Sequence, residues 1–112
     1  MHTFSEAQAG AAFSRIAKAR LRNRSIKPAD LCVYAWLAAE AARENIIPIK
    51  LTVSSMHHGF DIRGDGKEEE VCPVGLSLNT IKTSLARLEE QGFLHIERTP
   101  STRGELLTLD LL

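Results

Sequence analysis

Cysteine is scarce in this chain: only Cys32 and Cys72, forty positions apart. That spacing offers neither a disulfide framework nor a zinc-ligand pattern, so both are expected to be plain thiols. Aromatic residues make up 5% of the sequence, and they form no pattern of base-stacking platforms. Trp36 and Tyr34 are therefore read as packing residues. No apolar run nears the roughly 20 residues of a membrane helix, and no basic-then-apolar leader opens the chain. A cytoplasmic protein without a membrane partner is the expectation. Gly-rich phosphate loops, nucleophile elbows and the His-Glu-x-x-His metal motif are missing as well, so no enzymatic activity, cofactor or metal is expected.

Net charge is also lacking, since 14 Lys and Arg balance 14 Asp and Glu. Taken alone, this argues against a nucleic-acid partner, because such domains are usually basic. The charges are nevertheless unevenly placed. Arg15, Lys18, Arg20, Arg22, Arg24 and Lys27 fall within 15–27 with no acid among them, whereas 51–76 holds Asp61, Asp65, Glu68, Glu69 and Glu70 against Arg63 and Lys67. The basic segment fits two readings, a set of phosphate contacts whose binding releases counterions and a solvated helix face. At 12.4 kDa the chain is one domain with one core, small enough to gain from dimerisation.

Along the chain, Ser5 and Gln8 have capping-box spacing, and an alanine-rich helix should follow to about Leu21. Its expected inward stripe is Phe13, Ile16, Ala17 and Leu21, with Arg15, Lys18 and Arg22 grouped elsewhere. Pro28 suits the first turn of a second helix, where Asp30 meets the positive end of the helix dipole. That helix, to about Arg43, is apolar around more of its circumference than one packing surface needs. It is read as the core helix and as a surface that could also meet a partner subunit. Residues 46–51, with Pro48 inside, suit an edge strand or an extended lead-in. A short helix over 52–60 would be capped by Thr52 and stopped at Gly59. The following segment, 61–76, is read as an acidic insertion that either forms a hairpin around Gly64-Asp65-Gly66 or stays mobile.

Two motifs in this middle region fail on inspection. Asp61-x-Arg63-x-Asp65-Gly66 resembles a calcium loop, but Arg63 stands where Asp or Asn is needed and Cys72 where a bidentate Glu is needed. His57, His58 and Cys72 would have to converge to make a metal or thiol sensor, and adjacent helical histidines point apart.

The C-terminal third carries the clearest pattern. Leu78, Ile81, Leu85 and Leu88 line one helical face, Ser77 stands at the N-cap and Gly92 at the stop. Residues 93–98 and 106–111 then read as strands joined across the turn-rich 99–104. The run from Leu76 to Arg98 resembles the recognition helix and first wing strand of winged helix-turn-helix proteins, notably GntR-type and MarR-type regulators and the winged domains of plasmid replication proteins. In those families a Thr-hydrophobic pair opens the helix and Leu-Glu-x-x-Gly-hydrophobic closes it. Here the matching residues are Thr80-Ile81 and Leu88-Glu89-Glu90-Gln91-Gly92-Phe93. The likeness covers about a third of the chain and is specific for the superfamily. The sequence departs from the pattern at 61–76, where a helix-turn-helix has a turn of only about three or four residues.

The resemblance implies an α+β winged helix-turn-helix fold, mainly helical, with a C-terminal β-hairpin wing and a basic helical extension over 1–27. It further implies sequence-specific binding of double-stranded DNA by a homodimer, acting as a transcriptional repressor or as a plasmid or phage maintenance regulator. Replication-origin and partition-site binding are close variants of that role. Exposed positions of the helix supply candidate contacts: Ser77, Asn79, Thr80, Lys82, Thr83 and Arg87. Asn79 suits adenine, Lys82 and Arg87 suit guanine or phosphate, and the threonines suit backbone or thymine methyl. Arg103 would lie at the wing tip. Arg98 either reaches DNA or pairs with Glu105 across the hairpin. Arg15, Lys18, Arg22 and Arg24 are the candidate phosphate contacts of the basic extension. A winged domain used for protein contacts, with the acidic insertion as its docking surface for a second protein, is the alternative.

Overall fold

The computed structural model describes residues 2–62, 68–70, 73–101 and 104–112. The first helix, α1 (Glu6–Arg22), begins at the expected box: the Ser5 hydroxyl accepts from the Gln8 N–H and Gln8 Oε1 accepts from the Ser5 N–H. Its inward face differs from the expected stripe. Ala12 and Ile16 are buried, with Ala9 and Ala19 packed beside them, whereas Phe13 is 38% and Leu21 83% exposed. At 100° per residue Leu21 lies well over a quarter-turn from Ile16, so one packing surface cannot take both. Ile16 and the alanines Ala9, Ala12 and Ala19 make up the packed face of α1.

The second helix, α2 (Pro28–Glu44), starts with proline and ends at Asn45 in the left-handed conformation. Its buried residues Val33, Tyr34, Leu37, Ala38 and Ala41 form one face, and α2 packs against both α1 and the fourth helix. After it come strand β1 (Ile49–Leu51) and a short helix, α3 (Val53–His58). Thr52 caps α3 by accepting from the Ser55 N–H, and Gly59, at φ 86°, stops it.

The insertion contains two strands, β2 (Phe60–Ile62) and β3 (Glu68–Glu70). They pair antiparallel with Asp61 opposite Glu69, and the turn expected at Gly64-Asp65-Gly66 lies outside the described residues. Helix α4 (Leu78–Glu90) comes next, then β4 (Leu94–Ser101) and β5 (Gly104–Leu111). The order β1-β5-β4 makes one antiparallel sheet, with Ile49 opposite Leu109 and Leu94 opposite Leu111. Its inner face is apolar at alternate positions (Ile49, Leu51, Leu94, Ile96, Leu107, Leu109, Leu111), as period-two geometry requires. The chain is thus α+β. Among the described residues no helix is long and apolar enough to cross a membrane.

The stop of α4 is a Schellman motif. Gly92 has φ 83°, its N–H donates to the Glu89 carbonyl at 3.1 Å, and the Phe93 N–H donates to the Leu88 carbonyl at 2.9 Å. A Cβ at Gly92 would meet no atom within 4 Å. Gly92→Ala should therefore cost backbone strain alone, about 1 kcal/mol. Chemical denaturation checks this, and Gly92→Asn should recover part of the loss.

Candidate nucleic-acid interface

Helix α4 owes its exposed stripe to the residues it buries. Ile81, Ser84, Leu85 and Leu88 face the core, while Leu78, expected there, is 38% exposed in the first turn. Ser84 replaces it in the buried set and lies beside Asp30 of α2. The opposite side of α4 shows Asn79, Lys82, Thr83, Ala86 and Glu90 to solvent, with no acid in the first turn. Ser77 is committed to its cap: its hydroxyl accepts from the Thr80 N–H at 3.2 Å and is hydrogen-bonded to the Thr80 hydroxyl at 2.8 Å, where either oxygen can donate. Thr83 donates through Oγ1 to the Asn79 carbonyl at 2.8 Å. That leaves the Asn79 amide and the Lys82 ammonium without side-chain partners among the described residues.

Arg87 does not belong to this free set. Its guanidinium grips the Asp30 carboxylate from two nitrogens: Nε is 3.1 Å from Oδ1 and 2.9 Å from Oδ2, and Nη2 is 2.9 Å from Oδ1. Asp30 is 1% exposed, and its Oδ2 also accepts from the Lys27 N–H at 2.9 Å. Burial alone would raise the Asp30 carboxyl, but the Arg87 and Lys27 hydrogen bonds outweigh it and hold the carboxyl below its ordinary value. Asp30 in turn raises Arg87. Arg87, expected to reach guanine or phosphate, is here the partner of a buried charge, its fork tying the start of α2 to α4.

Arg98 resolves toward the other of its two expected roles. Its guanidinium stands 3.6 Å from Glu105 Oε1 across the hairpin and 3.5 Å from Glu89 Oε1 of α4. Arg103 lies outside the described residues. On α1, Arg15 donates through Nη2 to the Leu112 carbonyl. Lys18, Arg22 and Arg24 are exposed and form no ion pair among the described residues.

The basic segment and the α4 stripe are two groups rather than one. Asn23 Nδ2 donates to Gln91 Oε1 at 2.8 Å, which fixes the end of α1 against the C-terminal end of α4. Asn79 stands at the other end of α4, roughly 18 Å away by helical rise. Between them sits the first turn of α2, held by the Asp30–Arg87 pair. Compared with known proteins, the chain matches no family model, no curated protein and no solved structure. Its function is accordingly argued from this geometry.

Two roles come from packing rather than from the local sequence. Asp30, expected to meet the helix dipole, is a buried acid in a first turn and takes its cation, Arg87, from α4. Arg20 lies close to Ile16 on the helical wheel, so its partial burial was legible; the depression it lines with Arg24, Ile26, Lys27 and Pro28 arises only when α1 turns into α2.

Of the metal-sensor candidates, His57 Nδ1 is 2.9 Å from the Leu76 carbonyl oxygen and its ring meets that of His58 edge-on. Cys72 lies outside the described residues.

Proposed function

We propose that this protein is a sequence-specific binder of double-stranded DNA, with a winged helix-turn-helix arrangement in which α3 and α4 are the paired helices and the β4–β5 hairpin is the wing. The observation that carries the reading is the α4 stripe, where an amide and an ammonium without side-chain partners among the described residues stand on the early, acid-free turns of an exposed helix face. A helix of this kind fits the major groove, Asn79 presenting both a donor and an acceptor to adenine and Lys82 a donor to guanine or phosphate. The element order supports it too: a core helix, an edge strand, a short capped helix, a longer helix and a hairpin, with the β2–β3 pair set between the two helices. The outer half of that hairpin leaves the core, since Arg98, Thr99, Pro100 and Glu105 are all exposed. Lys18 and Arg22 supply phosphate contacts outside the reading helix.

The active form in this reading is a homodimer on a two-fold-related site, because one helix reads too few base pairs for useful specificity. Phe13 and Leu21, turned outward on one side of α1, offer apolar surface for the second copy. The biological role that follows is a compact repressor or a plasmid or phage maintenance regulator, with replication or partition-site binding as a variant. A second reading, docking of a basic protein partner, is favoured by the register of β2 and β3, which brings Asp61 opposite Glu69 amid three consecutive glutamates.

Amide mapping separates the two. Titrating the labelled protein with duplex DNA should perturb residues 77–83 first, and the protein without DNA should sediment at twice 12.4 kDa. Perturbations confined to the β2–β3 region on adding a basic partner, with 77–83 silent toward DNA, would sink the DNA reading.

A further inference from the structure

Where α1 ends and α2 begins, Arg20, Leu21, Arg24, Ile26, Lys27 and Pro28 line an open-sided depression of about 510 Å³. Three of the six carry positive charge and none is acidic. Arg20, Arg24 and Lys27 form no ion pair among the described residues, and Arg20 Nε is a buried donor with no acceptor. The nearest carboxylate in sequence, Asp30, is turned inward onto Arg87 and the Lys27 N–H. The depression also meets the start of a 17-residue helix, whose dipole adds positive potential.

Gathering three like charges at a concave site raises their mutual repulsion, and leaving a guanidinium donor buried without an acceptor costs a hydrogen bond. A tetrahedral oxyanion in the depression relieves the repulsion, accepting from the charged side chains that line it and neutralising the cluster. We infer that the α1–α2 junction is a phosphate-group binding site formed by Arg20, Arg24 and Lys27. It is distinct from the α4 stripe and does not depend on α4 reading DNA. Two sources carry such a group, a phosphate of a nucleic-acid backbone and a small phosphorylated molecule. The position of Lys27 and Pro28 beside the Asp30–Arg87 pair brings the site next to the last turn of α4, at the opposite end of that helix from Asn79.

The test uses the whole chain, labelled at backbone nitrogen, titrated with inorganic phosphate replacing chloride at constant ionic strength. Amides of 24–30 should shift and saturate, with the same isotherm in Lys82→Ala. Binding should weaken at least tenfold in Arg20→Gln/Arg24→Gln and at least threefold in Lys27→Gln, whose exposed side chain can be changed without disturbing the fold. Shifts that never saturate, or isotherms the same in wild type and both glutamine variants while their spectra remain folded, would overturn the site. A second arm names the source. If non-cognate duplex binds the double variant more weakly, with a salt slope lower by about two, the site holds a backbone phosphate; if duplex binding is unchanged while the phosphate isotherm is lost, it holds a small phosphorylated ligand.

Discussion

Arg87→Met should lower stability by about 3 kcal/mol at neutral pH, because it leaves a buried carboxylate without its cation. Asp30 is 1% exposed and would keep only the Lys27 N–H. The converse change, Asp30→Asn, should cost less. Arg87 is 29% exposed along its side chain, so its guanidinium can turn to water. Melting temperature should accordingly fall by roughly 10 °C in Arg87→Met, and by less in Asp30→Asn.

Acid gives this prediction a second signature. The carboxyl of Asp30 is held below its ordinary value of 3.8 in the folded protein, so the pair's contribution is fully present above that value. It is lost as pH falls through the lowered folded value, where the folded state also takes up the proton. In Arg87→Met the carboxyl keeps its burial and loses its cation, so it protonates at higher pH and sheds the penalty earlier. The stability gap between wild type and Arg87→Met should therefore narrow on acidification, as followed by denaturant unfolding from pH 7 to pH 3. An equal gap across that range, or no gap at pH 7, would mean that the pair holds nothing together.

The second large effect concerns binding. In Asn79→Ala/Lys82→Ala the two unpartnered polar groups of the α4 stripe are gone while the buried set is untouched, so the fold should persist. Each good base contact discriminates by about 1–3 kcal/mol, which makes the expected loss of affinity for a preferred site at least tenfold. Affinity for arbitrary duplex should fall much less, with a salt slope smaller by about one because a single cation has been removed. Arg98→Ala, by contrast, should leave site preference intact, since Arg98 already faces Glu89 and Glu105.

What the sequence made legible follows from how local each signal is. Helix starts at Ser5, Thr52 and Ser77 and the stops at Gly59 and Gly92 depend on one or two residues acting on their own backbone, and each was readable. The sheet's alternation was readable for the same reason, although β4 and β5 run further toward 102–103 than the expected loop, with Pro100 paired to Glu105. Pairing across distant segments was not. Arg87 and Asp30 are 57 positions apart, and on a helical wheel Arg87 looks as exposed as Lys82. Phe13 and Leu21, large and apolar, are expected inward with Ile16, but only Ile16 is buried and Ala9, Ala12 and Ala19 complete its face. Arg103, the expected wing-tip contact, falls outside the described residues.

If the α4 stripe reads duplex DNA, selection of bound fragments from the source genome at two salt concentrations should show it. Wild type and Asn79→Ala/Lys82→Ala would be compared side by side. The account predicts that wild type enriches one sequence with two-fold symmetry, that the enrichment survives the higher salt, and that the variant loses it while remaining folded. Equal, sequence-blind recovery by both proteins, or no recovery by either, would contradict it.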